Sequence, residues 1–158
     1  MKDLIVVFSY SHGNTIRIAN MIQTKTSADL KIITTVHPYS DDYDAVVDLG
    51  LQEVKKGYEP PIEDISIEGY DRIFLGTPTW WYTMAPVMKT FIHTHNLKGK
   101  TVIPFMTHGG WPGKVIKDME KELKDSIIST SIEIQFDSNG GDILITSLDT
   151  IEDWIKQL

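Results

Sequence analysis

Seven residues, Ser9-Tyr10-Ser11-His12-Gly13-Asn14-Thr15, join a short apolar run to a stretch with helical spacing. Backbone N–H groups at a helix start, together with the side chains of Ser9, Ser11, Asn14 and Thr15, can surround an anion with donors. Gly13 permits a backbone path that a Cβ would hinder. A nucleotide triphosphatase loop would carry Gly-x-x-x-x-Gly-Lys-Ser/Thr, and no lysine precedes Thr15. The chemistry that fits is the holding of one phosphate monoester by hydrogen bonds, without magnesium and without phosphoryl transfer. The same residue types cap helices, so the join reads as a capping turn with spare donors.

Two further loops carry unusual residues. In Thr77-Pro78-Thr79-Trp80-Trp81-Tyr82-Thr83-Met84-Ala85-Pro86, three aromatics follow one another. Neighbouring side chains on a strand point in opposite directions, so the three do not all face one core. At least one is expected to be exposed or covered by a ligand, and a planar conjugated ring is a suitable cover; packing beneath a neighbouring loop is the alternative. In Thr107-His108-Gly109-Gly110-Trp111-Pro112-Gly113, three glycines leave backbone N–H and carbonyl groups open to a polar ring edge.

The elements that must position these loops are legible as alternating runs. Leu4 to Ser9, Leu30 to Val36, Arg72 to Thr77, Thr101 to Thr107 and Thr130 to Phe136 read as strands. The first, third and fourth are nearly continuous apolar runs, the pattern of parallel strands covered on both faces. Helical spacing marks Thr15 to Thr24, Asp42 to Lys56, Ala85 to His95, Lys114 to Lys124 and Ser147 to Leu158. Gly57 and the following Pro60-Pro61 stop the second helix. Strand and helix alternate five times, which predicts a single α/β domain over residues 1–158, a doubly wound five-stranded parallel sheet with helices on both faces. In such sheets ligands bind beyond the carboxyl ends of the strands, where all three loops fall.

Composition narrows the chemistry further. The chain has 158 residues and no cysteine, so thiol nucleophiles, disulfides and thiolate metal sites are excluded, and redox chemistry would need a borrowed cofactor. The net charge of -7 disfavours nucleic acid and anionic membranes as partners, and it either steers the protein toward basic partners or serves solubility alone. Five apolar residues, Leu4 to Phe8, are too few for a signal-peptide core or a membrane span, which predicts a cytoplasmic protein. His93 and His95 lie two apart and make a poor metal pair on a helix. Asp41, Asp42 and Asp44 read as a helix start rather than a calcium loop. Asp137 to Asp142, with Asn139-Gly140-Gly141, reads as a turn near the crevice without a fixed role.

Over essentially its whole length the chain resembles the flavodoxin family. Ser9-x-Ser11-x-Gly13-Asn14-Thr15 is similar to the family's phosphate loop, "GTPTWWYTMAPVMKTF" to the loop that brings aromatics to the flavin ring, and "GKTVIPFMTHGG" to the strand and loop that complete the site. The resemblance implies strand order 2-1-3-4-5, non-covalent flavin mononucleotide (FMN), and electron shuttling between a reductase and acceptor proteins. Carried over, Ser9, Tyr10, Ser11, His12, Gly13, Asn14 and Thr15 would hold the phosphate. Pro78, Thr79, Trp80, Trp81 and Tyr82 would flank one side of the ring, and Thr107, His108, Gly109, Gly110 and Gly113 would line the other side and the pyrimidine edge. The chain departs from well-known carriers in having Trp81 and Tyr82 where a glycine often follows the ring-facing Trp. It also has Trp111 as the nearest substitute for a stacked Tyr in the third loop. Both departures weigh against a stabilised one-electron state. Acidic surroundings and loops without Lys or Arg predict a low potential. The alternative is an NAD(P)H-dependent FMN oxidoreductase acting on quinones or flavins. A signalling receiver is excluded because the third strand ends Leu75-Gly76-Thr77 without an acidic phosphoacceptor, and a phosphatase is disfavoured by the lack of Cys or a clustered Asp set.

Overall fold

The computed structural model describes residues 2–10 and 13–158. Four parallel strands form the body of the sheet: β1 (Asp3–Val7), β2 (Asp29–Ile32), β3 (Arg72–Trp80) and β5 (Thr101–His108). A two-residue strand, β4 (Thr83–Met84), folds back antiparallel on the end of β3, and β6 (Ile127–Ile128) and β7 (Ile132–Gln135) both pair with β5. The order is β2-β1-β3-β5-β6. It matches the expected 2-1-3-4-5 once the fifth strand is taken in two pieces.

Alternation along β1 shows why the strand runs are continuously apolar. Leu4 and Val6 pack with Ile73, Leu75, Met88 and Phe91 on one face. Ile5 and Val7 pack with Ile18, Ile22, Phe74 and Trp154 on the other. The first face is covered by α2 (Tyr43–Lys56), α3 (Pro86–Thr94) and α4 (Val115–Glu122), and the second by α1 (Asn14–Thr26) and α5 (Leu148–Lys156). With helices on both sides, both faces are lined mainly by apolar side chains, and the buried Thr77 and Thr107 hydroxyls are hydrogen-bonded.

The elements differ from the sequence reading where tertiary partners decide. β2 stops at Ile32 rather than Val36, because it pairs only with β1, whose last register partner is Val7↔Ile32. β3 continues past Thr77 because β5 pairs with it as far as Pro78↔Thr107, and β4 extends it to Trp80. The fifth strand begins earlier than Thr130 and is interrupted. Ile127–Ile128 pairs with Thr101 and Val102, Ile132–Gln135 pairs with Phe105 to His108, and the Thr130 carbonyl, outside the ladder, accepts the Trp154 Nε1–H at 2.8 Å. Asp42 caps α2 through the N–H of Asp44, and Gly57 ends it at φ 63°. Among the described residues no helix is long and apolar enough to cross a membrane.

Two contacts lock neighbouring elements together. Gly76 lies under the Phe105 ring so closely that an added Cβ would fall 2.1 Å from Phe105 Cζ. Gly76→Ala is therefore expected to destabilise the fold by about 1–3 kcal/mol in urea unfolding, with partial recovery in Gly76→Ala/Phe105→Leu; unchanged stability of the single variant would refute this packing. On the opposite face, His93 of α3 bridges Glu59 (Nδ1 to Oε1, 2.8 Å) and Glu122 of α4 (Nε2 to Oε2, 2.5 Å). The hydrogen bond that His93 donates to Glu122 is the largest influence raising the His93 pKa, and His93 in turn holds the Glu122 carboxyl below its usual range. The imidazolium's contribution to stability is full below the ordinary histidine value and is lost as pH rises through the raised one. The Glu122 contribution is lost at the other end, as pH falls through its depressed value. His93→Gln is thus expected to lose more stability relative to the parent at about pH 5.5 than at about pH 9, measured by urea unfolding at both; an equal loss would remove the ion pairs from the account.

Candidate functional site

The carboxyl ends of β1, β3 and β5 open into a cleft of about 310 Å³. All three predicted loops contribute. Tyr10, Asn14 and Thr15 come from the first, Pro78, Thr79, Trp80 and Trp81 from the second, and Thr107, His108 and Gly109 from the third. Hydroxyl groups join the loops beneath the cleft. The Thr15 and Thr107 Oγ1 atoms are 2.8 Å apart and buried, and the Thr79 hydroxyl donates to the Thr107 carbonyl at 3.1 Å.

At the phosphate-loop side, α1 starts from Gly13 in the left-handed conformation (φ 72°), with open space where a Cβ would be and no side chain capping the first turn. Ser9 Oγ and Asn14 Oδ1 are buried and, among the described residues, have no hydrogen-bond partner. Unmatched polar atoms in a native interior call for a partner. The Ser9 hydroxyl and the uncapped N–H groups suit an oxyanion, whereas Asn14 Oδ1 requires a donor, such as the hydroxyl of a sugar alcohol. The Asn14 amide N–H₂ is already engaged, donating to the Gly141 carbonyl at 3.0 Å. Ser11 and His12, also assigned to this loop from sequence, lie outside the described residues.

The aromatic side is built around Trp80. Phe8, Tyr10 and Tyr39 present their rings at steep angles to it, at centroid distances of 5.7, 6.1 and 5.1 Å. Gly50 of α2 lies beside it, and a Cβ there would meet Trp80 Cε3 at 3.2 Å. Trp81 and Tyr82 form the two-residue turn between β3 and β4, and both have positive φ (51° and 68°). A two-residue turn with both central residues left-handed is the tight hairpin normally made by Asn-Gly, and bulky residues there are strained. Fixed contacts hold the turn. Trp81 Nε1–H donates to the Val47 carbonyl at 2.8 Å, the Lys114 N–H donates to the Tyr82 carbonyl at 2.8 Å, and the Thr83 hydroxyl donates to Asp118 at 2.6 Å.

On the third loop, burial pushes the His108 imidazole below its ordinary value, so the ring is neutral near pH 7. The Gly110 N–H donates to Nδ1 at 2.9 Å, which leaves the proton on Nε2. Gly109 lines the cleft; Gly110 does not, and Tyr82 and Gly113 line a neighbouring cavity instead. Two further segments line the cleft, one of them, in α2, not expected there from the sequence and the other a turn expected near the crevice without a role. Tyr43, Val46, Val47 and Gly50 come from α2, and Phe136, Asp137, Gly140 and Gly141 from the turn after β7. The Asn139-Gly140-Gly141 signal marked that turn, but its position depends on long-range ties, including Asn14 to Gly141 and Arg17 to the Asp142 carbonyl at 3.0 Å. The cleft wall contains no Lys or Arg, and among the described residues no group of three or more His, Cys, Asp or Glu is placed to hold a metal ion.

An anion-suited helix start, an aromatic wall and a glycine-lined loop at the carboxyl edge of a parallel sheet define a doubly wound cofactor-binding protein. The chain belongs to the flavodoxin family, whose model, described as flavodoxin, matches residues 2–158. Among solved structures, a candidate flavoprotein from Bacteroides eggerthii DSM 20697 is 27% identical, with 99% of this chain and 96% of that one covered and a TM-score of 0.78. A second, from Bacteroides uniformis ATCC 8492, is 24% identical, with 98% and 97% covered and a TM-score of 0.81. A flavoprotein from Lactobacillus acidophilus NCFM, determined in complex with FMN, is 22% identical, with 84% and 92% covered and a TM-score of 0.72. No curated protein sequence matches the chain.

The strained turn yields a direct test. Tyr82→Gly removes a left-handed bulky residue that is 58% exposed and is expected to stabilise the fold by roughly 0.5–1 kcal/mol in urea unfolding, the relief of strain being partly offset by glycine's greater freedom in the unfolded chain. A clear loss of stability would show that Tyr82 contributes packing that outweighs its backbone strain.

Proposed function

We propose that this chain binds FMN non-covalently in the carboxyl-edge cleft and carries electrons at low potential between a reductase and acceptor proteins. The observation that carries the reading is the convergence, in one cleft, of the first residues of α1, the Asn14 Oδ1 atom that finds no partner among the described residues, and the Trp80–Trp81 wall. Ser9, Gly13, Asn14 and Thr15 would hold the phosphate and ribityl end, and the tryptophans would flank the ring. Bound FMN supplies the capacity to accept and release electrons. The chain's part is to exclude water, to fix the ring and to set its electrostatics. His108 is a neutral donor rather than a cation, and among the described residues no Lys or Arg lines the cleft, so added negative charge finds no opposing charge there. The net charge of -7 supports basic surfaces on the donor and acceptor proteins.

The purified protein is expected to take up one equivalent of FMN with quenched flavin fluorescence; failure to take it up would overturn the reading. Thr15→Val, which removes one hydroxyl of the buried pair, is expected to weaken FMN by about tenfold in a fluorescence titration. Reductive titration should place the bound flavin below free FMN, and a higher value would contradict the electrostatic argument. Sustained NADPH oxidation with a quinone, without an added reductase, would instead identify an NAD(P)H-dependent oxidoreductase.

A further inference from the structure

Trp81 belongs to the walls of two cavities, the cleft and a second one of about 680 Å³ bounded by α2, the β3–β4 hairpin, α3 and α4. Three large aromatics stand exposed in this second cavity: Tyr58 at 48%, Trp81 at 40% and Tyr82 at 58%. Two of them are the left-handed residues of the hairpin turn. The turn is gripped from below by Gly113, where an added Cβ would fall 2.3 Å from the Tyr82 carbonyl oxygen. The fold thus fixes a strained backbone and presents apolar rings to solvent at the same place. Strain retained in this way points to a ligand contact rather than to stability.

The charges of the same wall are unevenly satisfied. Three acids line it, and each is engaged: Glu53 accepts the Tyr39 hydroxyl at 2.8 Å, Asp118 accepts the Thr83 hydroxyl, and Glu122 is bonded to His93. Burial also pushes the Glu53 carboxyl up toward its neutral form. Three lysines line it as well, Lys89, Lys114 and Lys121. Among the described residues none of the three has a carboxylate within 4.0 Å; the ion pairs there belong to Lys2, Lys25, Arg72 and His93. Lys89 and Lys121 act on Glu122 only through the longer-range field.

The geometry points to a second binding site for a small aromatic anion, a flat ring bearing a carboxylate or phosphate, with its ring against Trp81 and Tyr82 and its charge toward Lys89 and Lys121. Exposed aromatic faces recognise the flat ring, and ammonium groups without carboxylate partners recognise the anion. A neutral ring would leave the lysines unmatched, and a small anion without a ring would leave the aromatics in water. The site does not rest on flavin occupying the cleft, and the two are testable separately.

The test uses 2-naphthoate, which has the ring and the charge but no redox chemistry, with 2-naphthamide and acetate as controls. Binding is followed by calorimetry and by amide shifts in ¹⁵N spectra, on the protein with and without added FMN. The expected result is that naphthoate binds in both states, shifting the amides of Tyr82, Gly113 and Lys114, at least about tenfold more tightly than naphthamide, with acetate not binding. Lys89→Gln/Lys121→Gln should remove most of that preference for the anion, and Tyr82→Gly should weaken both naphthalenes while leaving the protein folded. Equal affinity for naphthoate and naphthamide, shifts confined to Asn14, Thr15 and Gly109, or no binding would overturn the proposal. A protein that binds naphthoate at these amides but takes up no FMN would keep this site and sink the flavin reading, and the reverse result would do the opposite.

Discussion

The buried hydrogen bond between the Thr15 and Thr107 hydroxyls is the constraint on which the cleft depends. The two residues are 92 positions apart, one in the first turn of α1 and the other near the end of β5. β3 runs between β1 and β5 in the sheet, so the bond spans the strand that carries the aromatic loop. Thr107 also accepts the Thr79 hydroxyl through its carbonyl, so one residue fixes all three loops relative to one another. Both hydroxyls are shielded from water, and removing either leaves the other without a partner at a cost of order 1–3 kcal/mol. The floor of the cleft is consequently rigid before any ligand arrives, which lowers the ordering cost of binding.

Above that floor, the wall is held in a conformation the local sequence disfavours. Trp81 and Tyr82 occupy left-handed backbone that costs roughly 1–2 kcal/mol per residue for side chains with a Cβ. Contacts from three other elements oppose this cost: the Val47 carbonyl of α2, the Lys114 N–H before α4 and the Asp118 carboxylate within it. Two glycines make the approach possible, Gly50 beside the indoles and Gly113 under the turn. The family's carriers often place glycine after the ring-facing Trp; here the backbone takes a glycine-like conformation while the side chains remain aromatic. The turn is therefore less free to change its peptide orientation than a glycine turn would be.

How much of this was legible in the sequence follows from how local each feature is. The apolar runs of β1, β3 and β5 announce their burial on two faces because each side chain individually must be apolar. The helix start at Gly13 and Asn14 was legible for the same reason: small and polar residues beside a helical run are a local signal. The β3–β4 hairpin was not, since the expected Asn-Gly mark of such a turn is replaced by Trp-Tyr and the conformation is imposed from outside. Gly50, Val46 and Val47 were read only as residues of an amphipathic helix, and their place in the cleft wall is set by how α2 lies against Trp80. The break in the fifth strand likewise depends on Trp154, 24 residues further on.

Charge placement completes the picture. The chain carries 22 acidic against 15 basic side chains, yet the cleft wall holds no lysine or arginine while the adjoining cavity holds three lysines. The difference is not a matter of burial alone, since both sites are open to solvent at their mouths and share Trp81. Inside the cleft, among the described residues, negative charge meets hydroxyl, amide and backbone donors and the neutral His108 but no ammonium or guanidinium group. Around the corner of the same indole, an anion meets ammonium groups whose nearest acids are already hydrogen-bonded to Tyr39, Thr83 and His93. Two neighbouring surfaces, separated by one aromatic residue, offer an anion different partners, hydroxyl and backbone donors in the cleft and ammonium groups beside it; the hydroxyl network that fixes the first and the strained turn that shapes the second are joined through β3.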